Sequence, residues 1–222
     1  MLRNILAIGF VLATMGRSVA QWTAPLQPIL QELDAAKVSG SLEVSEGCRE
    51  HSLPDFPQAH VSTRRGSVVE KLSEVLADSR AIRVSQEADG MVRMVEVGVA
   101  AELLNVRISQ IRFSDSAYTP NDALVIILRA PELISFMSAH NMQLTSGAGG
   151  VRGNVGRWPP ELPHISGSLE NVSLSQALDE VLKTFPGLWV FWNCPQAGSK
   201  SIVSFRFFGL RRVSPELFVT SD

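Results

Sequence analysis

The chain has 222 residues, 45% of them hydrophobic, and carries 20 Lys and Arg against 22 Asp and Glu for a formal net charge of −2. No basic block is longer than Arg64-Arg65 or Arg211-Arg212, so the concentrated positive surface that nucleic-acid binding uses through counterion release is missing. Length and apolar content suit one domain of two lobes, or two small domains.

Residues 1–20 have the layout of an export signal. Arg3 supplies the positive start, Ile5 to Met15 form an apolar stretch broken by Gly9 and Thr14, and Ser18-Val19-Ala20 is a small-x-small site before Gln21. That stretch holds eleven residues, where a bilayer-spanning helix needs about twenty. The expectation is a signal peptide over 1–20, a periplasmic or secreted location, and no stable membrane insertion after cleavage. Arg17, close to the site, is the residue that speaks for uncleaved anchoring instead. Residues 1–20 hold two Arg and no acid, so their removal leaves 18 basic against 22 acidic side chains and a net charge of −4.

Next along the chain, Leu26 to Ala36 puts Leu26, Ile29, Leu30 and Leu33 on one helical face. Residues 47–66, rich in Pro, Ser, His and charge, read as loop. Ser67 opens a helix with Glu70 three positions later, the capping-box spacing, and Val68, Leu72, Val75 and Leu76 form its stripe. A strand from Ile82 to Ser85, a turn over Glu87-Ala88-Asp89-Gly90 and a return strand from Met91 to Val97 make a hairpin. Leu103 to Phe113 alternates apolar and polar residues. Thr119-Pro120 starts one helix and Pro131-Glu132 another, a helical pair covering the first lobe.

Residues 144–164 are punctuated by Gly147, Gly149, Gly150, Gly153, Gly156, Pro159, Pro160 and Pro163 and read as an inter-lobe linker. Beyond it, Ser173 stands 106 positions after Ser67 and again has a capping-box partner, Gln176. Leu174, Ala177, Leu178, Val181, Leu182 and Phe185 make one apolar stripe. Pro186-Gly187 stops that helix, and strands follow over Leu188 to Asn193 and Ser201 to Phe208. With Ile165 to Val172 as a leading strand, the order is β-α-β-β. The predicted fold class is α+β: two small β-α-β-β lobes, each with one helix on a short antiparallel sheet, at residues 21–143 and 165–222.

The run from Ile165 to Leu178, followed by Gly187-Leu188-Trp189-Val190, resembles the secretin and TonB short N-terminal domain. The resemblance covers about Ile165 to Phe208 and is echoed faintly at Ser67 to Val97. It implies a periplasmic docking module. No secretin pore segment or outer-membrane barrel follows in this chain, so the resemblance implies a free-standing copy of that fold.

Chemistry-bearing residues are few. Cys48, His51, His60 and Cys194 lack the tight paired spacing of zinc sites, and no metal site or cofactor is expected. His140 and His164 stand apart from these. Gly147 to Gly156 misses the dinucleotide fingerprint because Arg152 occupies the third glycine's place. No nucleophile elbow is present, and no catalytic residue is assigned. Cys48 and Cys194, an even pair in an exported chain, are candidates for a disulfide; two unrelated buried thiols are the alternative. In the strand Leu188-Trp189-Val190-Phe191-Trp192, Trp189 and Phe191 share one face. They either form an exposed aromatic patch that binds a partner or are buried by other elements. The function expected is a non-catalytic adaptor that binds another envelope protein through its sheet. A small enzyme using Cys194 or a histidine, or a carrier with a pocket between the lobes, are the alternatives.

Overall fold

The computed structural model describes residues 26–45, 62–63, 65–77, 82–99, 101–145, 163–195 and 200–210, with the side chains of 114–116 excepted. In chain order these residues form α1 (Gln27–Ala36), β1 (Gly40–Ser45), α2 (Val68–Val75), β2 (Ile82–Gln86) and β3 (Val92–Glu96). A 3₁₀ turn (Glu102–Asn105), β4 (Arg107–Ala117), α3 (Pro120–Ile127), α4 (Pro131–Ala139) and β5 (Met142–Leu144) come next. The chain continues with β6 (Ile165–Ser173), α5 (Leu174–Thr184), β7 (Gly187–Cys194) and β8 (Ser201–Gly209). The fold is mixed α+β.

Local chemistry sets the helix starts. Ser67 and Ser173 each accept a bond from the backbone N–H three residues on, while Glu70 and Gln176 reach back to the N–H of their serine, so both capping boxes close. Thr119 caps α3 by accepting from the N–H of Asp122 at 3.1 Å, with Pro120 in the first turn. The two capped helices, the hairpins that follow them and the helical pair stand at the chain positions the periodicity gives. The pair, however, packs with α5, β7 and β8 rather than over β1, β2 and β3 of the first lobe, because its apolar residues join that core.

The sheets depart from the two-lobe expectation. One six-stranded sheet runs in the order β2-β3-β1-β7-β8-β5, and β4 and β6 form a separate antiparallel ribbon. β1, from the first half of the chain, lies parallel to β3 on one side and to β7, from the second half, on the other. Six residue pairs, Gly40↔Leu188 through Ser45↔Asn193, join the halves along that seam. The leading strand β6 pairs with β4 rather than with the hairpin it precedes. The physical reason is edge satisfaction: a three-stranded unit leaves unpaired backbone donors and acceptors at each side, and here β1 and β7 cover one another.

A duplication is still visible in the strand order. β2-β3-β1 and β7-β8-β5 each place a hairpin beside a strand that precedes it in sequence and runs parallel to its second arm. The two parallel pairs point in opposite directions along the sheet, because β7 is parallel to β1 while β8 runs against β7. Right-handed crossovers, the near-universal hand, then put the helices of the two units on opposite faces.

Burial agrees with this. Leu42, Val44, Val92, Met94, Leu188, Val190 and Trp192 pack with Ile29 and Leu33 of α1 and Leu72 and Val75 of α2. Trp189, Phe191, Val203 and Phe205 pack with Ala177, Leu178 and Val181 of α5, Leu124 and Ile127 of α3, and Ile108 and Ile111 of β4. All eight residues of β7 are buried, as expected for a central strand covered on both faces.

Candidate functional site

The alternation that turns Val92 and Met94 toward α1 and α2 turns Arg93 to the opposite face, in register with Ser41 on β1 and Ser85 on β2. Helix α5, seated over β7, brings Asp179 to the same place from the second unit. Asp179 Oδ2 accepts from the Arg93 guanidinium at 2.5 Å, and its Oδ1 accepts from Trp189 Nε1 at 2.9 Å. Glu87, in the β2–β3 turn, lies 3.2 Å from Arg93 Nε, and Glu43 of β1 lies 3.8 Å from its Nη1. Ser41 Oγ accepts from the same Nη1 at 3.4 Å. Three carboxylates thus surround one guanidinium, and five segments of the chain meet there.

Except for Glu87, these side chains are largely withdrawn from water: Arg93 keeps 19% of its side-chain surface, Asp179 12% and Glu43 9%. Burial pushes the carboxyl of Glu43 above the usual range, with Arg93 pulling it back and Asp179 adding repulsion. Asp179 is likewise raised by burial, against the opposing pull of Trp189 and Arg93. Both directions follow first from burial, which disfavours the charged carboxylate.

A second feature lies at the sheet margin beside this cluster. Glu87 N–H donates to Met91 O at 2.8 Å, which sets the antiparallel parity of the hairpin. By that parity the backbone groups of Ile82, Val84 and Gln86 point away from β3. Among the described residues no strand lies on that side. The other margins are short, partly engaged or interrupted. β5 is three residues long, β4 has its Ser109 N–H taken by Glu132 at 2.9 Å, and β6 is interrupted by left-handed backbone at Gly167 and Asn171. Among the described residues the five residues of β2 thus form a regular open edge of the large sheet, with Arg83 and Ser85 exposed along it.

The residues singled out from the sequence fall elsewhere. Trp189 and Phe191 are 1% and 0% exposed, so they are core and form no aromatic docking patch. Their face of β7 is covered by α5, α3 and β4, and Phe191 packs against Phe205 with ring centroids 5.1 Å apart. Cys194 is buried and disulfide-bonded, which leaves it no thiolate for nucleophilic chemistry. Cys48, His51, His60, the signal residues 1–20 and most of the linker, residues 146–162, lie outside the described residues. His140 stacks on Phe136 at 3.8 Å, its Nδ1 2.9 Å from Phe136 O, and His164 sits 5.2 Å from the Tyr118 ring; the two are not brought together into a site. The two halves of the chain meet along the hydrogen-bonded β1–β7 seam.

Sequence reasoning missed Glu43, Arg93 and Asp179. Asp179 follows Leu178 at the margin of the apolar stripe, where an acid reads as solvated. Arg93 and Glu43 occupy the polar positions of alternating strands, where charge is ordinary. Only the seam makes the three neighbours. Compared with protein-family models, with curated proteins and with solved structures, the chain gives no match.

Proposed function

We propose that the protein is an exported, non-catalytic interaction module of the cell envelope that takes up an extended segment of a partner protein along β2. The open edge of β2 carries this reading. Its outward N–H and C=O groups offer a template for strand addition, in which main-chain bonds supply affinity and alternate side chains supply selectivity. Ile82 and Val84 pack partly into the α1–α2 core and hold the edge rigid, while Arg83 and Ser85 remain exposed to read the incoming strand. The likeness of Ile165 to Phe208 to a docking domain of secretins and TonB-dependent receptors points the same way, as does the export signal at residues 1–20.

A photo-cross-linking amino acid at Ser85, introduced in intact cells, tests the reading. It should capture one envelope protein, and Val84→Pro should abolish the capture while a cooperative melting transition remains. Proline at 84 removes an N–H that points away from β3, so the hairpin ladder keeps its bonds. Failure of the Ser85 probe to capture any protein would overturn strand addition at β2.

A further inference from the structure

We propose that Glu43, Arg93 and Asp179 form a proton-responsive latch that holds helix α5 of the second unit against strands β1 and β3 of the first. The inference rests on placement and charge count and is independent of what binds at β2. Among the described residues, the Arg93–Asp179 bond at 2.5 Å is a polar link between α5 and the first unit's strands. Trp189 fixes the second carboxylate oxygen, so Asp179 cannot turn toward water without breaking both bonds.

The charges facing the latch come from every element around it. β1 contributes Glu43, β3 contributes Arg93, and the turn contributes Glu87 within 4 Å of the guanidinium and Asp89 acting on Asp179 at longer range. From α5 come Asp179 and Lys183, the latter paired with Glu180. Arg83 of β2 lies on the same sheet face by register. Within 4 Å of the Arg93 guanidinium, three acids meet one base. The surplus negative charge is held in a place where solvation is poor, and uptake of a proton by Glu43 relieves it while the Arg93–Asp179 bond stays intact.

The raised carboxyl of Glu43 in the folded state fixes the sign, because a proton on Glu43 leaves the Arg93–Asp179 bond charged, whereas a proton on Asp179 would discharge it. A group protonated more readily in the native chain contributes stability that is fully present below its unfolded value, 4.5 for Glu43. That contribution is lost as pH rises through the folded value. The latch is therefore firmest in mildly acidic surroundings and loosens toward neutrality.

Two measurements on the full exported chain test this. The indole N–H resonance of Trp189, assigned by its loss in Trp189→Phe, should shift with pH as Glu43 takes up its proton, with a midpoint above the ordinary glutamate value of 4.5. In thermal melts, Glu43→Gln, a neutral stand-in for the protonated acid, should melt higher than the parent by roughly 2–4 °C at pH 7.5. The gap should close by about pH 4.5. An indole resonance that stays fixed between pH 4.5 and 7.5 would overturn the latch even if the variant failed to fold. A Glu43→Gln melting difference that does not change with pH would overturn it equally.

Discussion

Trp189 Nε1 donates a 2.9 Å hydrogen bond to Asp179, and the same carboxylate receives Arg93 at 2.5 Å. The bond joins β7 to α5 within the second unit, and the ion pair carries that link across the seam into β3. A buried indole that finds an acceptor and a buried acid that finds two donors solve each other's desolvation problem.

That pairing makes Trp189 more than a filler of space. Trp189→Ala and Phe191→Ala should each cost about 3–5 kcal/mol, as other buried aromatics do, out of a total stability of roughly 5–15 kcal/mol. The double variant should accordingly lose its cooperative transition. In a cycle with Trp189→Phe and Asp179→Ala, the two losses should fail to add, with a coupling of about 0.5–3 kcal/mol. Urea denaturation measures both quantities, and additive losses would show that the indole–carboxylate bond contributes nothing.

The two strands of the seam also approach their outer neighbours closely, β7 against β8 and β1 against β3. A Cβ at Gly187 would sit 2.5 Å from Phe208 O, and one at Gly40 would sit 2.8 Å from Val92 O. In both cases the obstacle is a backbone carbonyl held in the sheet, which cannot swing aside. Gly187→Ala should therefore destabilise by roughly 1–3 kcal/mol, the cost of overpacking a close-packed site. Ser85→Ala, on the exposed side of β2, should stay within about 0.5 kcal/mol of the parent. Equal melting midpoints for the two variants would contradict this placement of β7 against β8.

The covalent expectations can be read from one intact mass. Protein recovered from the exported fraction should begin at Gln21 and weigh two hydrogens less than its reduced form, because Cys48 is the other cysteine in the chain and the one available to bond Cys194. The bridge closes a loop of about 146 residues and is worth on the order of 4–5 kcal/mol by chain entropy. Reduction should lower the denaturation midpoint accordingly. A mass that includes residues 1–20, or two alkylatable thiols before reduction, would refute the corresponding expectation.

Much of this molecule is written in short-range pattern. The serine caps at 67 and 173, the apolar stripe of α5, the Thr119-Pro120 start and the hairpins after each capped helix are local events, decided by neighbours three or four residues away. Even the duplication shows through, because matching stripes and caps recur at a fixed spacing. β1 has a legible alternation too, Leu42 and Val44 against Ser41 and Glu43, but its polar side is buried, which alternation alone reads as solvent. Strand pairing is not a local event. Nothing near Gly40 in sequence says that its neighbours will be Val92 and Leu188, and that choice decides the rest. It makes β7 a central strand and turns Trp189 and Phe191 into core. It also draws Glu43, Arg93 and Asp179 into one cluster and leaves β2 at the margin. Periodicity records which face of an element avoids water; only the assembled sheet decides which elements share that face, because backbone pairing is nearly blind to side-chain identity and is set by the packing of the whole.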